Sequence, residues 1–232
     1  MSSLVIKIIA LVTMVIDHVG YLIFPDSLLL RLIGRIAMPL FTFQFAVGLK
    51  HTSNFNKKLI KTLIFAILVQ IPYTLFAIMA KDTPNLNIIF TFFLASLVIF
   101  VIKSIPTRDE ETKKINVGNL LSVIFISLII CVFPLVLFDT DYDIYGILLT
   151  VAFYYSMDKK RIALLLYPIL SLAYAYFFKT TITFLGLFAI LVDVPIIYAF
   201  NGQKGYKNGN FFYIIYFMHF IILSLIKYFL PA

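Results

Sequence analysis

The chain has 232 residues, of which 62% are hydrophobic and 13% charged, against about 25% charged in an ordinary soluble domain. A mean hydropathy of +1.02 excludes a water-soluble fold of this size, because so small a protein still exposes much of its surface. Nine Gly, nine Pro and one Cys exclude collagen and a disulfide framework, and the net charge of +8 implies no nucleic acid because the basic residues lie between apolar runs.

A membrane-crossing helix needs about 20 apolar residues, and somewhat fewer suffice for short spans. Nine runs qualify as candidates. In chain order they are Leu4 to Phe24, Leu28 to Gly48, Leu59 to Ala80, Leu86 to Ile102, Asn119 to Phe138, Ile144 to Met157, Ile162 to Phe178, Ile182 to Phe200 and Phe211 to Leu230. The runs are continuous rather than alternating, which argues against barrel strands. The predicted fold class is therefore all-α: a polytopic transmembrane helical bundle of about nine spans, forming one domain over residues 1–232 without linker or internal repeat.

Loops retained in the cytoplasm carry the excess of Lys and Arg. Lys7, the Lys50/Lys57/Lys58/Lys61 segment, the Lys103/Arg108/Lys113/Lys114 segment, the Lys159/Lys160/Arg161 turn and the Lys204/Lys207 loop all fall on one side of a nine-span chain. The opposite side holds Lys81, Lys179 and Lys227 with the acidic corner Asp139, Asp141 and Asp143. The amino terminus is thus expected inside and the carboxyl terminus outside. The first run is too long, and too interrupted by Asp17-His18, for a cleaved signal peptide, and it is expected to be retained.

Ionisable residues inside a span are costly and need a partner, a wet cavity or a function. Asp17, His18, Arg31, Arg35, Asp193 and His219 lie well inside the runs. Arg31 and Arg35 share a helix face at i and i+4, and the short turn before them brings the pair to the depth of Asp17, so an ion pair explains Asp17. His18, which titrates near neutrality, is left as the natural general base. Lys7 and His18 are eleven residues apart, which puts them within about 20° of one helix face and about 16 Å apart along the axis. That separation matches a thin ligand with a phosphorylated head and a reactive tail, such as acyl-coenzyme A; a Lys at that position is also what sidedness alone would place there.

Among the other polar positions, His219 is flanked by Tyr213, Tyr216 and Ser224 and reads as a second cavity-lining base or an interhelical hydrogen-bonding group. Asn85, Asn87 and Thr91 read as caps or interhelical groups, and Asp139, Asp141 and Asp143, followed by Tyr145-Gly146, as a solvated outer loop from which an Asp could orient an amine. Neither a metal-ligand pattern nor a phosphate-binding loop is present in the sequence, so no metal is expected. Pro39, Pro72 and Pro195, with the buried charges, leave a proton-coupled transporter or flippase as the alternative class.

KIIALVTMVIDHVG from Lys7, RLIGRIAMPLFTFQFAVG from Arg31, NIIFTF from Asn87, DYDIYG from Asp141 and YIIYFMH from Tyr213 resemble, in order, the blocks of the TraX family. That family is named for a conjugal transfer protein that acetylates the amino terminus of F-type pilin. It is similar to the wider group of transmembrane acyltransferases, whose first helix carries Arg or Lys, ten residues, then His, matched here by Lys7 and His18. The resemblance implies a multi-pass protein of the bacterial cytoplasmic membrane that transfers acetyl groups. The donor it implies is acetyl-CoA, and the acceptor a hydroxyl or amine of an envelope glycan, lipid or small protein. His18 and Asp17 are the expected catalytic residues, and Lys7, Arg31 and Arg35 the expected donor-binding ones. Asn87, Asp143, Tyr145, Tyr216 and His219 are expected toward the acceptor. The expected partners are the bilayer, the acyl donor and that acceptor, with assembly of several copies left open.

Overall fold

The computed structural model describes residues 1–109, 112, 114–138, 140–177, 183–205 and 211–230. Asp139, Lys113, Lys179 and Lys207 of the charge pattern lie outside the described residues. The described residues form ten helices and no strand: α1 (Ser3–Leu22), α2 (Leu28–Gly34), α3 (Ala37–Lys50), α4 (Phe55–Met79), α5 (Ile88–Ser104), α6 (Val117–Phe138), α7 (Asp143–Ser156), α8 (Lys160–Phe177), α9 (Thr183–Tyr198) and α10 (Phe211–Phe229). The all-helical expectation holds. Its second run does not hold as one helix: the chain turns at Arg35 and Ile36 between α2 and α3. Pro39 accounts for the break, because a proline ring clashes with the carbonyl four residues earlier, here that of Arg35, and removes a donor. α4 and α9 continue through Pro72 and Pro195, so those two prolines mark no broken helix.

α1, the 28–50 segment taken across its break, α4 and α10 are each long and apolar enough to cross a membrane; α5 and parts of α6 and α9 are shorter apolar helices. The outward faces confirm the solvent. Along α4, Ile60, Ile64, Ile67, Leu68, Ile71, Leu75 and Ile78 form one exposed stripe at helical spacing, with Ile71 76% exposed. A stripe of that extent is a lipid-facing surface. Inside, α1 packs on α2, α3 and α10, α4 on α5 and α10, and α7 on α3, α5 and α8, around a core that includes Ile6, Ala10, Leu40, Phe43, Phe153 and Phe220.

Caps begin the helices where sequence allows. Asn54 accepts from the Lys57 N–H at 2.8 Å to start α4, and Asn87 accepts from the Ile89 N–H at 3.0 Å to start α5. The polar group that caps α5 also fastens it sideways: Asn87 Nδ2 donates to the Ala66 carbonyl at 2.9 Å and to Gln70 Oε1 at 2.8 Å, both on α4.

α1 and α2 approach so closely at Gly34 that a Cβ there would overlap the Asp17 side chain. Gly34→Ala is therefore expected to lower stability by about 1–3 kcal/mol, the usual cost of overpacking a filled site. Thermal unfolding of the purified protein in detergent measures it, and an unchanged melting temperature would refute the close approach.

Candidate functional site

α1 carries two neighbouring polar residues that the fold sends to different partners. Asp17 is buried and its Oδ1 lies 2.9 Å from Arg31 NH1 of α2, while the same guanidinium donates to the Asp17 carbonyl at 3.4 Å and stacks 5.0 Å from the Tyr21 ring. The predicted ion pair thus forms, with Arg31. Arg35 caps α2, and its Nε is buried without a hydrogen-bond partner among the described residues. The Tyr21 hydroxyl donates to the Asp82 carboxylate in the α4–α5 connection, which holds Asp82 below the usual carboxylate range.

His18, half-buried, turns the other way. Its Nδ1 lies 2.8 Å from Nε2 of His219 on α10, and the two rings lie edge to edge, their centroids 4.9 Å and their planes 9° apart, with Phe76 and Phe220 against them. One nitrogen of the pair must donate and the other accept. His219 Nδ1 is buried without a hydrogen-bond partner among the described residues. In the tautomer with the His219 proton on Nδ1, its Nε2 accepts from His18 Nδ1–H. That tautomer leaves the lone pair of His18 on Nε2, available as a base.

Below this pair, α1, α3, α4, α5 and α10 enclose a cavity of about 480 Å³, within the range of small-molecule sites. Lys7, His51, Lys58 and Lys204 supply basic groups to its wall, Phe41, Phe45, Phe92, Ile88 and Ile89 its apolar lining, and Tyr216 its link to the histidines. The Tyr216 ring lies 5.2 Å from that of His219. Lys58 donates to the Tyr213 hydroxyl at 3.1 Å and lies 5.3 Å from the Phe45 ring; Lys7 lies 5.6 Å from the Phe212 ring. Hydrogen bonds from Ser3 N to the Gln203 carbonyl at 2.8 Å and from Asn201 N to the Met1 carbonyl at 3.0 Å dock the Lys204-bearing segment against the start of α1.

The structure thus brings Lys7 and Tyr216 to one cavity and His18 to His219. It places Arg31 and Arg35 elsewhere, around Asp17, and neither lines the cavity. Asn87 is fully buried with its amide committed to α4, Asp143 accepts from the Tyr174 hydroxyl at 3.0 Å, and Tyr145 shares a 2.8 Å hydrogen bond with Ser171 on α8. Asp193, at 0% exposure, accepts from the Tyr167 hydroxyl at 2.9 Å.

Asp141 is half-buried, less solvated than a free outer loop. Its N–H donates to the Leu86 carbonyl at 2.9 Å and its carbonyl accepts from the Thr91 hydroxyl at 2.7 Å, and left-handed backbone at Tyr142 (φ 65°) and Asp143 (φ 45°) follows it. These ties hold its carboxyl among Asp17, Arg31, Arg35 and Asp143, where burial, then the Asp17 charge, pushes it up to about 7 against the pull of Arg35. A carboxyl raised on folding contributes stability below its unfolded value, about 3.9, that is lost as pH rises through 7. Asp141→Asn is expected to flatten that decline between about pH 4 and 7, leaving the variant more stable than the parent at pH 8. Melting curves across that range test this; parallel curves would contradict it.

Sequence reasoning that followed ionisable groups inside spans passed over Gln44 of the cavity, and met Lys58 only as an inner-loop charge and Tyr213 only as a neighbour of His219. Gln44 was visible as an uncharged polar residue in the apolar stretch from Met38 to Val47.

The profile described as TraX protein matches residues 2–227. The chain is 27% identical over 251 residues to a probable fimbrial assembly protein FimC, serogroup H1, of Dichelobacter nodosus, covering 99% of this chain and 97% of that one. It is 30% identical over 99 residues to the uncharacterized protein RP591 of Rickettsia prowazekii (strain Madrid E), covering 43% of this chain and 37% of that one. No solved structure matches. A profile match that takes in α1 through nearly all of α10 includes the histidine pair, the Asp17–Arg31 pair and the cavity alike, and the chain belongs to the TraX family.

Proposed function

We propose that the protein is a membrane-embedded acetyltransferase that moves an acetyl group from acetyl-CoA to a hydroxyl or amine of an envelope acceptor, with His18 as the general base. The observation that carries this reading is the His18 Nδ1–His219 Nε2 contact of 2.8 Å, set one aromatic ring beyond a cavity with lysines in its wall. Taking α2 and α3 as one broken span gives nine crossings of the cytoplasmic membrane, amino terminus inside, and opens the Lys204 end of the cavity to the cytoplasm. The acceptor then approaches from the outer side or laterally. The relative named as a fimbrial assembly protein supports a pilin-type amino terminus among the acceptors; glycan and lipid hydroxyls suit the same chemistry.

Acetyl-CoA supplies the activated acyl group, and Lys7, Lys58 and Lys204 would hold its phosphates. His18 Nε2 takes the proton of the acceptor hydroxyl or amine as that atom bonds to the thioester carbonyl carbon. The carbon–sulfur bond then breaks, and the imidazolium returns its proton to the departing thiolate. His219 keeps His18 in the productive tautomer, and Asp17 holds Arg31, which lies within electrostatic reach of His18, where it can stabilise the developing oxyanion.

Purified protein incubated with acetyl-CoA and followed with a thiol reagent is expected to release free CoA thiol at a rate that depends on His18. Proton-coupled solute uptake by proteoliposomes with no thiol release would overturn the enzyme reading in favour of transport.

A further inference from the structure

α3 is buried from Thr42 to Val47 and again at Leu49, but Gly48 between them is exposed. The face it exposes is turned to the cavity. Phe41, Gln44, Phe45 and Gly48 all line it, and at 3.6 residues per turn they fall within about 100° of one another around the helix, with Gly48 near the middle. A Cβ on Gly48 would meet nothing within 4 Å. Gly20, Gly34 and Gly146, inside α1, α2 and α7, differ: a Cβ on any of them would come closer than 3.0 Å to a neighbouring side chain. Packing thus gives no reason for glycine at position 48, and its φ is not positive, so backbone conformation gives none either. Inside a helix glycine costs stability relative to alanine. What it supplies here is open space in the wall.

Its level in the cavity shows what the space is for. The Ser3 hydroxyl donates to Gln44, which sets the start of α1 level with Gln44. Gly48 lies one turn further out, about 6 Å toward His51. Ser3 N also holds the Gln203 carbonyl, so Lys204 and Gly205 join the wall at this same end, while Lys7 lies one turn deeper along α1. A ligand whose phosphates rest on Lys7, Lys58 and Lys204 carries its inner chain away from Gly48. What lies outward of the phosphates comes against Gly48.

We propose that Gly48 is a donor-specificity residue that acts by having no side chain: the bare helix surface seats the nucleoside head of an acyl-CoA at the cavity mouth. The assignment rests on the acetyl-CoA reading above. A side chain at this position leaves room for a phosphorylated chain and excludes the broad head.

Calorimetric titration of the purified full-length protein in detergent tests it with two probes, CoA and 4′-phosphopantetheine, which keeps a phosphate and the arm without the nucleoside head. Gly48→Phe is expected to weaken CoA binding about tenfold or more, as overfilling a site does, and to change phosphopantetheine binding less than twofold. Gly48→Leu is expected to act in the same direction and serves if the Phe variant does not fold. Gly48→Ala is expected to raise the melting temperature by about 2–4 °C, because the helix gains and the Cβ meets nothing. A lower melting temperature would show the space to be filled in the free protein and would overturn the assignment. CoA binding equal to the parent in a folded Phe or Leu variant, or equal loss for both probes, would overturn the assignment of Gly48 alone. A parent protein that binds neither probe would overturn the acetyl-CoA reading itself.

Discussion

Replacing His18 with Ala is expected to lower acetyl transfer by about 10²- to 10⁴-fold, the usual share of a general base, with the protein still present in the membrane. The loss should fall on kcat and leave the KM for acetyl-CoA near its parent value, because Lys7, Lys58 and Lys204 sit in the cavity wall and His18 does not. His219 predicts a second, graded effect. In the base-competent tautomer its Nε2 accepts from His18 Nδ1, so His219→Ala frees the ring to turn and to change tautomer, whereas His219→Gln can keep an acceptor toward it. Activity in the order parent, Gln variant, Ala variant is the expected outcome. Equal activity of all three would make the ring contact a packing feature.

Arg31→Ala is expected to be the most destabilising single replacement around Asp17, at about 3 kcal/mol, because it strands a buried carboxylate. The two side chains are 23% and 12% exposed, so water recovers little of the loss. Asp17→Asn in the same chain removes the stranded charge, and the double variant should be more stable than Arg31→Ala alone. That sign identifies an ion pair rather than independent packing, since separate sites would add. Melting in detergent of the parent, both single variants and the double variant measures it; strict additivity would refute the pairing.

The pairing with Arg31 was legible in the sequence because a short turn joins the two helices, so depth along one fixed depth along the other. The His18–His219 contact was not legible, for the partners are 201 residues apart and nothing in either run names the other. The helix break at Arg35 was available from Pro39 and the proline rule, but uninterrupted hydrophobicity from Leu28 onward masked it. Asp141 shows a different limit. Three acidic residues in a short connection read as solvated by composition, and only the backbone tethers to Leu86 and to Thr91 of α5, some fifty residues away, bring that carboxyl within electrostatic reach of Asp17. Gln44 escaped notice because it bears no charge, although its unpaired donor is a tertiary property that a charge survey does not register.

The central claim is that the cavity holds an acyl-CoA with its reactive end toward the histidine pair. A cryo-electron microscopy map of the purified protein with a non-hydrolysable acetyl-CoA analogue tests it most directly. The account predicts density entering past Lys204 and Lys58, the phosphates among those lysines and Lys7, and the acyl end beside Tyr216 and His18. Density confined to the lipid-facing surface, or phosphates bound at Arg31 and Arg35 with the cavity empty, would contradict it.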